Sequence, residues 1–261
     1  MKEEVIRDED FEYCVLGLQR SGTNYLNALI KRNIKASIYY PRNRWTQQRG
    51  IWKHSMDLEN KPDFEQVKDG SATNYGAAGG NHRLHWLKDM AAVYIHKHPY
   101  SWIESIIYNN VDIKRTYPEV MRTPKTHEDH IFEFLDLAQL VDLWQRHVTY
   151  WYSKKEEFGI YCLSYENLLS NTEYHLRNMA KRWDRECVSN NGYLEVDKVG
   201  QSEKFNDKLK QKYTTVQISI LGYHHIEYIN KNLSQSLMKD LGYSMIGNQD
   251  TWYNRKIGPY K

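Results

Sequence analysis

Short apolar runs alternate along the chain with stretches of helical periodicity. Phe11–Leu18 is a nearly continuous apolar run that stops at Gln19-Arg20-Ser21-Gly22, the pattern of a buried strand closed by a turn. Beyond the turn, Tyr25, Leu26, Leu29 and Ile30 fall on one helical face, and Lys31 and Arg32 occupy a last turn where cations suit the helix dipole. Gly50–Ser55 is a candidate second strand, and 61–81, rich in Gly, Asn, Asp and Ser, reads as a mobile loop. Ala91–His96 reads as a buried strand. Pro99 then opens a helix, since the N–H it lacks is one that a first helical turn leaves unbonded. That helix carries Trp102, Ile103, Ile106 and Ile107 on one face. A longer helix is predicted over His130–Tyr152, with Leu137, Leu140, Val141, Trp144, Val148 and Trp151 at helical spacing. Gly159–Ser164 reads as another strand and Thr172–Arg185 as another helix.

Strands alternating with helices predict an α/β fold of three layers, a parallel sheet flanked by helices on both faces. Ligands bind such sheets at the carboxyl ends of the strands. One domain is expected over 1–261, with a core at 11–245 and a C-terminal tail at 246–261.

Composition narrows the class. At 26% charged and 40% hydrophobic the chain suits a folded protein rather than a disordered one. Its 21 Tyr and 8 Trp against 6 Phe favour aromatic rings with polar tips, which suit planar or sugar-like ligands; inherited compositional bias accounts for them equally. A net charge of +3 is too small to argue for nucleic-acid binding and is matched by a local basic pocket. Cys14, Cys162 and Cys187 are odd in number and lack paired spacing, which argues against a disulfide framework and for a reducing compartment. Met1–Asp10 is charged without an apolar core, and no run approaches the roughly 20 apolar residues of a membrane span. A cytoplasmic, soluble protein is expected.

The turn after the first strand carries the first chemistry. Gly17 and Gly22 have the separation of a phosphate-binding P-loop, but Thr23 follows Gly22 directly and the P-loop lysine is absent. Backbone amides and a helix N-terminus would still meet an anion there. Without the lysine the loop suits one phosphate and its substituent, not a magnesium triphosphate. Arg20 can supply a cation from within the loop. An ordinary tight strand-to-helix turn is the alternative.

A second anion site is suggested at Val93–Ser105. Lys97 stands at a strand end, Pro99 begins a helix, and Ser105 follows within that helix, so a phosphate would be held between ammonium, helix N-terminus and hydroxyl. Ser101, one turn earlier on the same flank, competes with Ser105 for that role. A third strand end, Trp52-Lys53-His54, offers a base, because a histidine titrates near neutral pH.

With these residues the chain resembles the PAPS-dependent sulfotransferases, which use 3′-phosphoadenosine 5′-phosphosulfate (PAPS). Arg20-Ser21-Gly22-Thr23-Asn24-Tyr25 is similar to their first signature, a strand, [KR]-S-G-T and an aromatic, with Tyr where the family usually has Trp. Lys97 to Ser105 has the spacing of their second signature, with Lys for Arg, which keeps the charge and loses bidentate geometry. Trp144-Gln-Arg-His147-Val and the strand ending in Tyr165-Glu166-Asn167-Leu168 complete it.

The resemblance implies a P-loop-like sulfotransferase architecture and transfer of a sulfonate to an acceptor hydroxyl or amine. It implies that Ser21, Gly22, Thr23 and Asn24 cradle the 5′-phosphate while Arg20 contacts the bridging oxygen and sulfonate. Tyr25 and Tyr165 would contact the adenine, and Lys97 and Ser105 the 3′-phosphate. His54 would be the general base and Lys53 its electrostatic helper. Glu166 is expected to stabilise a turn, and Trp144 and His147 to be core. Arg255 and Lys256 are similar to an Arg-Lys-Gly segment that closes over the 3′-phosphate in some members, interrupted here by Ile257. No metal is expected. His82/His85 and His127/His130 have spacings zinc could use but lack a third ligand, and the first pair could instead line an acceptor pocket. The acceptor favoured is a glycan. The alternatives are a P-loop-type small-molecule kinase and an inactive nucleotide- or glycan-binding module.

Overall fold

Four parallel strands carry the fold: β1 (Glu12–Leu16), β2 (Ser37–Ile38), β3 (Ala91–His96) and β4 (Tyr161–Ser164), in the order β2-β1-β3-β4. They come from a computed structural model that describes residues 12–34, 37–38, 91–108, 137–187, 192–196, 207–216, 218 and 221–247. The register sets Val15 beside Val93 and Val93 beside Tyr161. The α/β class and the parallel sheet follow the alternation of the sequence. β3 has the predicted bounds, and β4 starts after a turn in which Gly159 takes φ 62. The strand expected at 50–55 lies outside the described residues. β2 pairs with β1 through Glu12 and Tyr13. Two residues carry too little periodicity to be read as a strand.

Eight helices are described: α1 (Thr23–Asn33), α2 (Pro99–Tyr108), α3 (Leu137–Lys154), α4 (Tyr165–Ser170), α5 (Thr172–Arg182), α6 (Asp207–Thr214), α7 (Tyr223–Asn232) and α8 (Gln235–Asp240). No helix among the described residues is long and apolar enough to cross a membrane. The chain groups into two compact units, 1–96 with 151–214 and 97–150 with 215–261.

The first unit holds the sheet. Val15, Val93, Ile95 and Leu163 share a core with Leu26, Leu29 and Ile30 of α1 and Leu176, Met179 and Ala180 of α5. Leu26, Leu29 and Ile30 are fully sealed, and each contributes about 1.5–3 kcal/mol by leaving water. Tyr25, predicted on the same face, is half-buried. Alternate β3 residues turn the other way. Tyr94 stacks on Trp151 of α3 at 6.1 Å, and His96 Nε2 lies 2.8 Å from the Tyr152 hydroxyl. Buried polar groups within this unit are paired where they act as fasteners. Tyr13 donates to Asn27 Oδ1 at 2.8 Å, and Asn33 exchanges two bonds with the backbone of Leu194, binding segment 192–196 to the end of α1.

In the second unit, Trp102, Ile103, Ile106 and Ile107 of α2 and Leu140, Val141, Trp144 and Val148 of α3 are buried, as their spacing predicts. The Gln145 amide bonds the backbone of Asn232 and Ser234, holding the turn between α7 and α8. Tyr100 donates to Asn230 Oδ1, whose amide donates to the Ile246 carbonyl. His98 packs between Tyr100 and Tyr243 and donates from Nε2 to the Ser244 carbonyl at 3.3 Å.

Burial lowers the His98 pKa from 6.5 to about 4, with the Ser244 bond opposing weakly. The unfolded chain therefore takes up this proton first. The stability His98 contributes is complete above about pH 6.5 and is lost as the pH falls through about 4. The urea midpoint of the wild type should fall more steeply over this window than that of His98→Gln. Parallel pH profiles for the two proteins would exclude His98 as the source.

Candidate phosphate-binding site

β1 ends at Leu16 and the chain turns at once against its neighbour. A Cβ on Gly17 would stand 2.3 Å from the Ile95 carbonyl oxygen, so only glycine lets the loop leave the sheet this close to β3. Arg20 follows with φ 68, in the left-handed region that a branched or long side chain rarely adopts. Ser21 N–H closes the turn on the Leu18 carbonyl at 3.1 Å. Gly22, with φ 92 and ψ 11, is the N-cap of α1, and the first helical bond runs from Leu26 N–H to its carbonyl at 3.0 Å.

This helix start has the properties of an anion site. It has no side-chain cap and no acidic residue in its first turn. Its leading N–H groups have no intrahelical acceptors, and the peptide dipoles sum there to a partial positive charge. The Ser21 hydroxyl is 1% exposed and has no hydrogen-bond partner among the described residues. Thr23 is buried beside it, and Asn24 is exposed. β2 and β3 flank β1 on opposite sides, so the strand order reverses at the strand end from which this loop springs. Open α/β sheets bind ligands at such a point.

Tyrosines back the loop. The Tyr165 ring lies where a side chain on Gly22 would be, 2.3 Å from the Cβ position. Tyr25 meets Tyr165 edge-on at 6.2 Å, and Tyr213 of α6 does so at 5.3 Å. Burial pushes the phenols of Tyr25 and Tyr165 well above their ordinary range, with neighbouring tyrosines adding to the shift. These groups are therefore neutral near pH 7 and serve as ring surfaces rather than acids or bases. The Tyr165–Leu168 stretch, expected to end a strand, is instead the first turn of α4. Ser164 caps it by accepting the Asn167 N–H at 3.1 Å, which converts the strand end into a helix start. Glu166 lies in that first turn.

β3 ends at His96, and the next residue, Lys97, begins the second unit. There the Lys97 carbonyl accepts the Trp144 indole N–H at 2.9 Å. Its ammonium, on a side chain 4% exposed, donates to Ser105 Oγ at 3.3 Å. Lys97 and Ser105, paired by spacing in the sequence, are thus in contact. Trp144 and His147 are buried as expected. Trp144 is more than filler, because it anchors the backbone of Lys97. The available signal was that a buried indole N–H needs a partner. Tyr213 gave no signal, lying in a polar helix.

His54 and Lys53 lie outside the described residues, as do His82, His85, His127, His130, Arg255 and Lys256.

Gly22→Ala places a methyl group on the Tyr165 ring and forces alanine into left-handed backbone. It should cost about 2 kcal/mol or more in denaturant stability. In a Tyr165→Leu background the same change should cost less, since only the backbone term remains. Equal losses in the two backgrounds would exclude the ring contact as the reason for glycine.

No protein-family model matches the chain and no curated protein matches it.

Proposed function

We propose that the protein is a PAPS-dependent sulfotransferase of P-loop-like architecture, moving a sulfonate group to an acceptor hydroxyl or amine. The carrying observation is the sealed Ser21 hydroxyl beside an uncapped, acid-free helix start in a loop without a P-loop lysine. Such a loop suits one phosphate and its substituent. The 5′-phosphosulfate is assigned to Ser21, Gly22, Thr23 and Asn24, with Arg20 at the bridging oxygen. Tyr25 and Tyr165 serve the adenine, and Lys97 with the start of α2 the 3′-phosphate.

In the reaction the acceptor oxygen or nitrogen attacks sulfur in line, and the bond from sulfur to the bridging phosphate oxygen breaks. Adenosine 3′,5′-bisphosphate leaves with that electron pair. The loop amides and Arg20 stabilise the charge that develops on the departing phosphate. The acceptor proton goes to His54, with Lys53 alongside. A glycan is the favoured acceptor, supported by the excess of Tyr and Trp. A cytoplasmic location belongs to the same proposal. It is supported by three cysteines without a disulfide, of which Cys14 and Cys162 are pushed up to about 12 by burial and so stay protonated.

Adenosine 3′,5′-bisphosphate should raise the melting temperature, and ATP with magnesium should not. The reverse pattern would identify a kinase-like nucleotide site and overturn the proposal. Transfer of radiolabelled sulfonate from PAPS to an acceptor panel should fall by about a hundredfold or more in His54→Ala. Unchanged turnover would remove His54 as the base and leave the donor assignment intact.

A further inference from the structure

Lys97, Ser101 and Ser105 stand at four-residue spacing on one flank of the start of α2. The first helical bond there runs from Trp102 N–H to the His98 carbonyl at 2.9 Å. Pro99 has no N–H, and those of Tyr100 and Ser101 precede the first intrahelical bond, so two amide donors face out of the helix end. The two serines on this flank are in opposite states. A serine hydroxyl has one proton to donate. Ser105 gives its proton to the Ser101 carbonyl at 2.7 Å and accepts Lys97 Nζ at 3.3 Å. To donate to a phosphate it would have to break the first of these bonds.

The Ser101 hydroxyl is 3% exposed and has no hydrogen-bond partner among the described residues. A buried hydroxyl left unbonded costs free energy, and such exceptions are uncommon in folded proteins. Helical Cα–Cβ bonds tilt toward the N-terminus, so the Ser101 side chain sets out toward the turn that follows Lys97. The Lys97 side chain passes along the same flank to reach Ser105.

We propose that Ser101, rather than Ser105, is the hydroxyl that donates to the phosphate held at the start of α2. Ser105 is a positioning residue that stations the Lys97 ammonium. The assignment rests on the sulfonate-donor proposal, in which this phosphate is the 3′-phosphate of the nucleotide. It departs from the spacing of the family signature, which points to Ser105. The Lys97 ammonium, the Ser101 hydroxyl and the first amides of α2 together form the donor set for a phosphate.

Calorimetric titration with adenosine 3′,5′-bisphosphate and with adenosine 5′-monophosphate tests the assignment in the full chain. The wild type should prefer the bisphosphate. Ser101→Ala should weaken the bisphosphate about tenfold or more, the loss expected for one hydrogen bond to a charged group, and leave the monophosphate within about twofold. Ser105→Ala, which removes no phosphate donor but loosens the Lys97 ammonium, should reduce the ratio less than Ser101→Ala does. Without ligand, Ser101→Ala should melt at or above the wild-type temperature, since it deletes an unbonded hydroxyl, whereas Ser105→Ala should melt lower. If Ser101→Ala keeps the full preference, or Ser105→Ala abolishes it, the Ser101 assignment falls and the donor proposal stands. If the wild type shows no preference between the nucleotides, both fall.

Discussion

The Tyr165 ring fills the space that a side chain on Gly22 would take, and the shape of the loop between β1 and α1 depends on that contact. Gly22 must be a glycine twice over, for its left-handed backbone and for the ring that occupies the space of a side chain. The ring is held from below by the capped start of α4, which Ser164 initiates at the end of β4. The β4–α4 junction thus fixes the conformation of a loop well over a hundred residues earlier in the chain. Gly17 does the same at the other end of the loop, by letting it pass against the Ile95 carbonyl. A tight loop braced at both ends keeps its amides oriented before any ligand arrives, and preorganised dipoles do not have to reorganise when charge develops.

Several buried polar groups hold the fold together. Asn33, Thr172, Trp144 and Ser164 are satisfied by backbone partners and act as fasteners between segments or within turns. The hydroxyls of Ser21 and Ser101 are sealed without hydrogen bonds among the described residues. Each stands at the start of a helix that follows a strand of the sheet, β1 in one case and β3 in the other. Burial without pairing opposes folding, and a hydroxyl beside a helix N-terminus is where an anion would compensate that cost. These two positions fall within the two sequence motifs that pair a strand end with a helix start.

Strong local periodicity made much of the framework legible. Ala91–His96 reads as a strand because it is uniformly apolar and short, and Pro99 marks the next helix start because its ring suits only the first turn. The helix carrying Trp102, Ile103, Ile106 and Ile107 and the one carrying Trp144 and Val148 follow from spacing alone. The residue pattern ends the strand at Ser164, where β4 ends, but the short helix that begins at Tyr165 is not legible, because its cap is one hydroxyl bonding one amide and leaves no periodic trace. α7 and α8 escaped notice because their buried positions, Ile226, Ile229 and Met238, are sparse among polar residues. Their docking relies on side-chain amides of Gln145 and Asn230 bonding to distant backbone.

By itself the sequence determined the α/β class, the parallel sheet, and the two places where a strand end meets a helix start with a cation and hydroxyls nearby. These are local matters, set by side-chain alternation, proline and glycine, and each is decided within a dozen or so residues. Tertiary structure alone decided which hydroxyls are engaged. Ser101 and Ser105 lie on the same helical flank, and the bond from Ser105 to the Ser101 carbonyl tells them apart. It also decided that Tyr165 braces Gly22 and that Trp144 holds Lys97. A hydrogen bond or ring contact between residues far apart in the chain depends on angstrom-scale placement of both partners, which no pattern along one segment can encode.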